Sequence, residues 1–291
     1  MRGLITVPST GVENKFPGRQ ENPGFGSAFS FVTDPALFLK ESIIKINLQN
    51  KVVVVTGASS GIGASLSVEM AKKGAALALI GRNSERLERV KKEVQHHTQD
   101  VSIFTCDVMD RQQVHDTVDL ISRKFRRIDG LVYSSGIGLP TFYRNFESTH
   151  IEKIVRTNYF GLLYWIESTA PMMQAQKSGF IVGISSLAAH MTEKRVAGYT
   201  SSKAAVSNFL AGARKGFKKY GIQVITIEPG YVKTPMTAGN KKMIFPMEVE
   251  DAARSILKAI EKGKPVYRFP KTMAFFARFF ECLPTAITAK F

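Results

Sequence analysis

The chain has 291 residues, enough for one large domain or two small ones with a sizeable core. Its apolar content of 44% is that of a soluble globular protein, and its two cysteines, Cys106 and Cys282, form no disulfide framework, which fits a reducing, cytoplasmic setting. The net charge of +16 comes from basic residues scattered along helix faces; that pattern suits a solvated surface or a polyanionic ligand and argues against a nucleic-acid-binding block. The five histidines lack metal-ligand spacing. No apolar run of about 18 residues predicts a spanning helix, and the N-terminus lacks the apolar region of a secretory signal.

Residues 1–26 hold eight Gly and Pro and read as a flexible extension. Asp34-Pro35 predicts a helix start, and Ala36, Leu37, Ile43 and Ile44 give that helix an apolar side, which either packs on the domain or lies on a membrane. From Asn47 onward two hydrophobic periods alternate. Strands are expected at 51–56, 76–81, 101–106, 128–134, 179–185, 222–228 and 265–269. Helices are expected at 62–73, 84–97, 110–125, 147–175, 199–220 and 248–262. Such alternation predicts an α/β fold, a doubly wound (Rossmann) parallel sheet of about seven strands with helices on both faces. One domain is expected over 47–270, preceded by the extension 1–46 and followed by a tail, 271–291. Ligands of such sheets bind beyond the carboxyl ends of the strands, where the strand order reverses.

The stretch Lys51 to Gly63, KVVVVTGASSGIG, reads as a buried strand, a glycine turn and a helix N-terminus. Backbone N–H groups and the helix dipole there favour a phosphate, and glycines let the backbone approach it. Further on stand Asn158 in Arg156–Gly161, Ser185-Ser186 after an apolar strand, Tyr199-Thr200-Ser201-Ser202-Lys203, and Pro229-Gly230-Tyr231-Val232-Lys233-Thr234. Residues four apart share a helix face, so the Tyr199 phenol and the Lys203 ammonium point the same way. A nearby cation lowers a phenol pKa toward the range useful for proton transfer.

With its five motifs in order over about 47–270, the chain resembles the short-chain dehydrogenase/reductase family, whose glycine turn has the spacing of Gly57, Gly61 and Gly63. The resemblance implies hydride transfer between a nicotinamide dinucleotide and a carbonyl/alcohol pair. It implies catalytic roles for Ser186, with Ser185 as the alternative, for Tyr199 and Lys203, and for Asn158 as holder of a relay water. Asn158 could instead bond its own helix backbone. Cofactor contacts are implied at Gly57, Ser59, Ser60, Gly61, Ile62 and Gly63, at Val108, Ser135 and Gly136, at Tyr199 and Lys203, and at Pro229, Gly230, Val232 and Thr234. Asp107 either meets the adenine or starts the next helix. Arg82 ends the second strand where other dinucleotide folds carry a carboxylate; a guanidinium suits a 2′-phosphate and points to NADP(H). One departure stands out: the family usually has Asn-Asn-Ala-Gly after its fourth strand, and this chain has Tyr133-Ser134-Ser135-Gly136.

Met236, Met243, Ile244, Phe245 and Met247 make the segment after Pro229-Gly230 apolar, as a lid over a lipid- or steroid-like ketone or as packing against the sheet. The segment Met273–Phe280 is apolar almost all round and wants an interface in a homo-oligomer, or peripheral contact with an intracellular membrane. The alternatives to an enzyme reducing a small-molecule carbonyl are a non-catalytic NADP-binding sensor or scaffold and, on charge alone, a nucleic-acid binder. An alcohol dehydrogenase working in the oxidative direction is the alternative within the enzyme class.

Overall fold

The computed structural model describes residues 45–191, 193–240 and 243–273. The helix expected near 34–44, Lys241-Lys242 of the apolar segment and the tail from 274 onward lie outside the described residues.

The first strand, β1 (Val52–Thr56), is VVVVT and buried throughout. β-Branched side chains are stiff and fit a pleated surface, and successive ones point to opposite faces. Accordingly Val53 and Val55 enter one hydrophobic core and Val54 the other. The chain continues α1 (Gly61–Ala71), β2 (Ala76–Gly81), α2 (Ser84–Gln95), β3 (Val101–Thr105), α3 (Arg111–Phe125) and β4 (Gly130–Tyr133). Then follow α4 (Thr149–Val155), α5 (Gly161–Ala175), β5 (Gly179–Ile184), α6 (Ala197–Lys218), β6 (Ile222–Pro229), α7 (Val249–Glu261) and β7 (Val266–Phe269).

These strands form one parallel seven-stranded sheet in the order β3-β2-β1-β4-β5-β6-β7. Leu66, Leu87 and Ile256 from α1, α2 and α7 fill the core on one face. Val114, Trp165 and Leu210 from α3, α5 and α6 fill the other. The expected doubly wound sheet with two helical layers is therefore present. After β3 the chain restarts beside β1 on its other side, which opens a crevice at the carboxyl ends of β1 and β4. Among the described residues no helix is long and apolar enough to cross a membrane.

The single helix expected over 147–175 is interrupted. Between α4 and α5 lies a π-turn, Arg156–Phe160, closed by the Gly161 N–H bonding to the Arg156 carbonyl five residues back. Widening by one residue does not break the apolar stripe, so periodicity alone does not reveal it.

At the opposite edge of the sheet, Asp129 is 3% exposed. It accepts from the Val52 N–H at 2.9 Å, Arg127 Nε at 2.7 Å and Lys51 Nζ at 3.3 Å. Burial pushes its carboxyl upward, but the Arg127 guanidinium, the Val52 N–H and the Lys51 ammonium outweigh burial and hold it below the usual range. A depressed carboxyl adds stability that is full above the unfolded value and lost as pH falls through the folded one. Asp129→Asn is expected to lower unfolding free energy by roughly 2 kcal/mol at neutral pH. Urea midpoints should show that gap narrowing as pH falls below the ordinary carboxylate range; a gap independent of pH would contradict the assignment.

Candidate active site

The turn from β1 into α1 requires glycine at two places. Gly57 has φ +65°, and a Cβ there would lie 2.9 Å from both Ser134 O and Ser135 N. A Cβ on Gly63 would lie 2.5 Å from Gly57 O, so the helix closes on the turn only because that position is bare. Thr56 Oγ1 accepts from the Ser134 and Ser135 N–H groups, each at 3.2 Å, which ties the exit of β4 to the end of β1. Ser60 precedes α1 without a side-chain cap, and the first turn carries no acidic residue. The N–H groups at this helix start therefore remain open to an anion, which is the chemistry a pyrophosphate needs.

That turn forms one wall of a cleft of about 380 Å³. Gly57, Ser59, Ser60, Gly61 and Ile62 line it from β1 and α1, and Arg82, Asn83 and Arg86 from the end of β2 and the start of α2. Asp107 and Val108 follow β3, Ser135 and Gly136 follow β4, and Pro229, Gly230, Val232 and Thr234 follow β6. Ser186, Tyr199 and Lys203 line the same cleft. Of the residues singled out for catalysis or cofactor contact, Gly63 lies beneath the turn and Asn158 lies fully buried; the others face the cleft.

Ser186 sits at the start of a short 3-10 turn, Leu187–His190, where its Oγ accepts from the Ala188 N–H at 3.1 Å. Its hydroxyl donates to the Pro229 carbonyl at 3.4 Å and lies near enough to the Tyr199 phenol to favour the phenolate. Ser185, the alternative, is committed elsewhere: its Oγ donates to the Lys203 carbonyl at 2.9 Å and lies 2.8 Å from Ser207 Oγ. Behind it, Ser207 reaches the buried Glu228 carboxylate at 2.8 Å, which Arg268 and His190 bracket at 2.5 and 2.9 Å. This buried polar run holds the serine turn, α6 and β7 together.

The expected depression of the Tyr199 pKa is not what this geometry produces. Burial pushes the phenol up, the Ser186 hydroxyl opposes that, and the nearby Tyr231 adds to the rise. Lys203 Nζ stands 5.7 Å from the Tyr199 ring centroid and donates to the Ile184 carbonyl at 2.8 Å. Burial brings the Lys203 ammonium down to about 8.

Asn158 does not bond its own helix backbone. Its Oδ1 accepts from the Ile137 N–H at 2.8 Å, and its Nδ2 donates to Ile137 O at 3.0 Å and Ser202 Oγ at 2.9 Å. Ser202 in turn donates to Tyr199 O at 2.7 Å. Asp107 lines the cleft, and its Oδ1 accepts from the Met109 N–H at 3.0 Å; the cap of α3 is Asp110.

Arg86 is a cleft residue not singled out from the sequence; its signal was a second arginine in the first turn of the helix that Asn83 caps, just after Arg82. Among the described residues neither guanidinium is tied to a carboxylate. After β6, backbone bonds from Lys233 N to Met247 O (2.9 Å) and from Met247 N to Tyr231 O (3.0 Å) pin the two ends of the apolar segment. Thr234 stands over the glycine turn, its Cγ2 3.3 Å from where a Gly61 Cβ would be. Met247 packs against the core, while Met236, Ile244 and Phe245 are 52–61% exposed, so packing on the sheet does not account for them.

The family model described as short chain dehydrogenase matches residues 51–244. The chain is a short-chain dehydrogenase/reductase. It is 37% identical over 213 residues to an uncharacterized oxidoreductase of Staphylococcus saprophyticus, covering 72% of this chain and 91% of that one. A fatty acyl-CoA reductase of Acinetobacter baylyi is 31% identical over 226 residues, covering 76% and 77%. Among solved structures, levodione reductase superposes with a TM-score of 0.70 at 26% identity, covering 76% of this chain and 96% of that one. A short-chain dehydrogenase/reductase from Mycobacterium ulcerans shares the fold, with a TM-score of 0.71 at 22% identity over 77% and 90%. Members of this family are oxidoreductases that bind a nicotinamide cofactor and act on small molecules with a CH–OH or C=O group.

Proposed function

We propose that this short-chain dehydrogenase/reductase is NADP(H)-dependent and reduces an apolar, lipid- or steroid-like ketone. The observation that carries the reading is the convergence of Ser186, Tyr199 and Lys203 on the cleft that also holds an uncapped helix start and two arginines, Arg82 and Arg86, that no carboxylate among the described residues ties. The turn 57–62 would hold the pyrophosphate, Arg82 and Arg86 the 2′-phosphate, and Lys203 the nicotinamide ribose. When bound, the nicotinamide supplies or accepts the hydride.

The chain's own groups manage the proton. Ser186 and Tyr199 hold the substrate oxygen, and the Tyr199 phenol donates to it as the carbonyl becomes an alcohol. A phenol kept protonated by burial is a donor across neutral pH, and Lys203, still an ammonium below about 8, stabilises the phenolate left behind. Asn158 holds Ile137 and, through Ser202, the first turn of α6, next to Lys203. The apolar class of substrate is supported by Met236 in the cleft lining and by the exposed Ile244 and Phe245 of the same loop. A relative named fatty acyl-CoA reductase and a neighbour named levodione reductase point the same way.

The cofactor assignment is tested by Arg82→Ala. The expected result is a KM for NADPH about tenfold higher with that for NADH little changed. An unaltered NADPH-to-NADH preference would overturn it. Absence of NADPH oxidation with every ketone in a panel of steroids and long-chain keto lipids would favour a binding protein instead.

A further inference from the structure

The departure Tyr133-Ser134-Ser135-Gly136 puts a tyrosine at the end of β4, and the structure gives that side chain a specific use. Tyr133 is 2% exposed, and its Oη donates to the Thr157 carbonyl at 2.5 Å. Thr157 lies within the π-turn and immediately precedes Asn158. A π-turn is poorer in hydrogen bonding than an α-turn and persists where something outside the helix supports it. Here the external donor is a phenol. Burial, with Asp107 and Cys106 nearby, pushes that phenol well above its usual range, so it stays a donor.

The surroundings fit the same purpose. A Cβ at Gly161, the residue that closes the π-turn, would collide with the Tyr133 hydroxyl. Four residues after Tyr133, the Ile137 N–H and C=O grip the Asn158 amide. The exit of β4 thus holds the π-turn at two points, one on its backbone and one on its asparagine. A Cβ on Gly136, between them, would be 3.4 Å from both Asn158 Oδ1 and Lys203 Nζ, which shows how close this clamp lies to the lysine.

We propose that Tyr133 is a positioning residue: by holding the Thr157 carbonyl it sets the π-turn that aims Asn158 at Ile137 and Ser202 beside the reacting groups. Its effect on turnover rests on the reductase reading above; its effect on the turn does not.

Tyr133→Phe removes only the hydroxyl. Amide exchange at 157–162 is expected to speed up about tenfold while β1 and β5 amides keep their protection. Turnover should fall about tenfold with NADPH affinity unchanged, since misaiming one amide by a fraction of an ångström suffices. Tyr133→Phe/Asn158→Ala should be no slower than Asn158→Ala alone, because both changes remove one device. Unchanged exchange at 157–162, or effects that multiply in the double variant, would overturn the proposal. If the wild-type chain reduces no carbonyl, the reductase reading fails while the exchange measurement still decides the role of Tyr133. If Tyr133→Phe does not fold, Gly161→Ala, whose methyl displaces the hydroxyl, should give the same local exchange pattern.

Discussion

Tyr199→Phe lowers turnover of a ketone by about three orders of magnitude, the middle of the range for losing a positioned proton donor. Binding of NADPH, followed by its fluorescence, stays within about twofold, because the ring and its packing remain. The phenol is held by burial in its protonated form, the form needed to deliver a proton to a nascent alkoxide. Its partner ammonium titrates at about 8, so kcat/KM for reduction should hold through neutrality and decline on the basic side of that value. Full turnover in Tyr199→Phe would remove the proton donor from the scheme.

Lys203→Met separates function from stability. Turnover should fall at least about a hundredfold, since neither the phenolate nor the cofactor ribose is then supported. Stability should move the other way. Lys203 is 4% exposed, and burial takes its value from 10.5 down to about 8. The unfolded chain therefore binds more protons between these values, and wild-type stability rises with pH across that window. Below about 8 the burial cost is present in full. Replacing the ammonium with an apolar side chain of similar length relieves it, less the loss at the Ile184 carbonyl, a net gain of roughly 1–2 kcal/mol at neutral pH. Trp165, the single tryptophan and fully buried, reports the urea transition by its fluorescence. A less stable variant, or one with the wild-type slope between pH 8 and 10.5, would contradict this account.

What could be read from residues alone follows a physical division. The strands, the glycine turn and the Tyr-x-x-x-Lys face are local: period, bare backbone and helical spacing are written within a few residues, and each lies within about three residues of its expected limits. The conversion of one long helix into α4, a π-turn and α5 is not local. It depends on a hydroxyl more than twenty residues upstream, at Tyr133, and on Ile137 gripping Asn158. Nor is the ionisation of Tyr199 and Lys203 local. Four residues of spacing promised an ammonium pulling on a phenol; burial, a property of the finished fold, proves to be the first cause on both groups. That Ser185 is engaged by the Lys203 carbonyl and Ser207 is likewise visible only with the fold in place.

The backbone clasp between Tyr231–Lys233 and Met247 separates two jobs within one stretch of chain. Just beyond the clasp, Thr237 Oγ1 donates to the Val232 carbonyl at 2.7 Å and accepts from the Thr234 N–H at 3.0 Å, which keeps Thr234 registered against the glycine turn. The arc beyond Thr237, carrying Ile244 and Phe245 outward, can therefore be lengthened, trimmed or swapped without moving Thr234 from the glycine turn. Selectivity among small molecules can diverge there by loop exchange alone, on an otherwise fixed redox chassis.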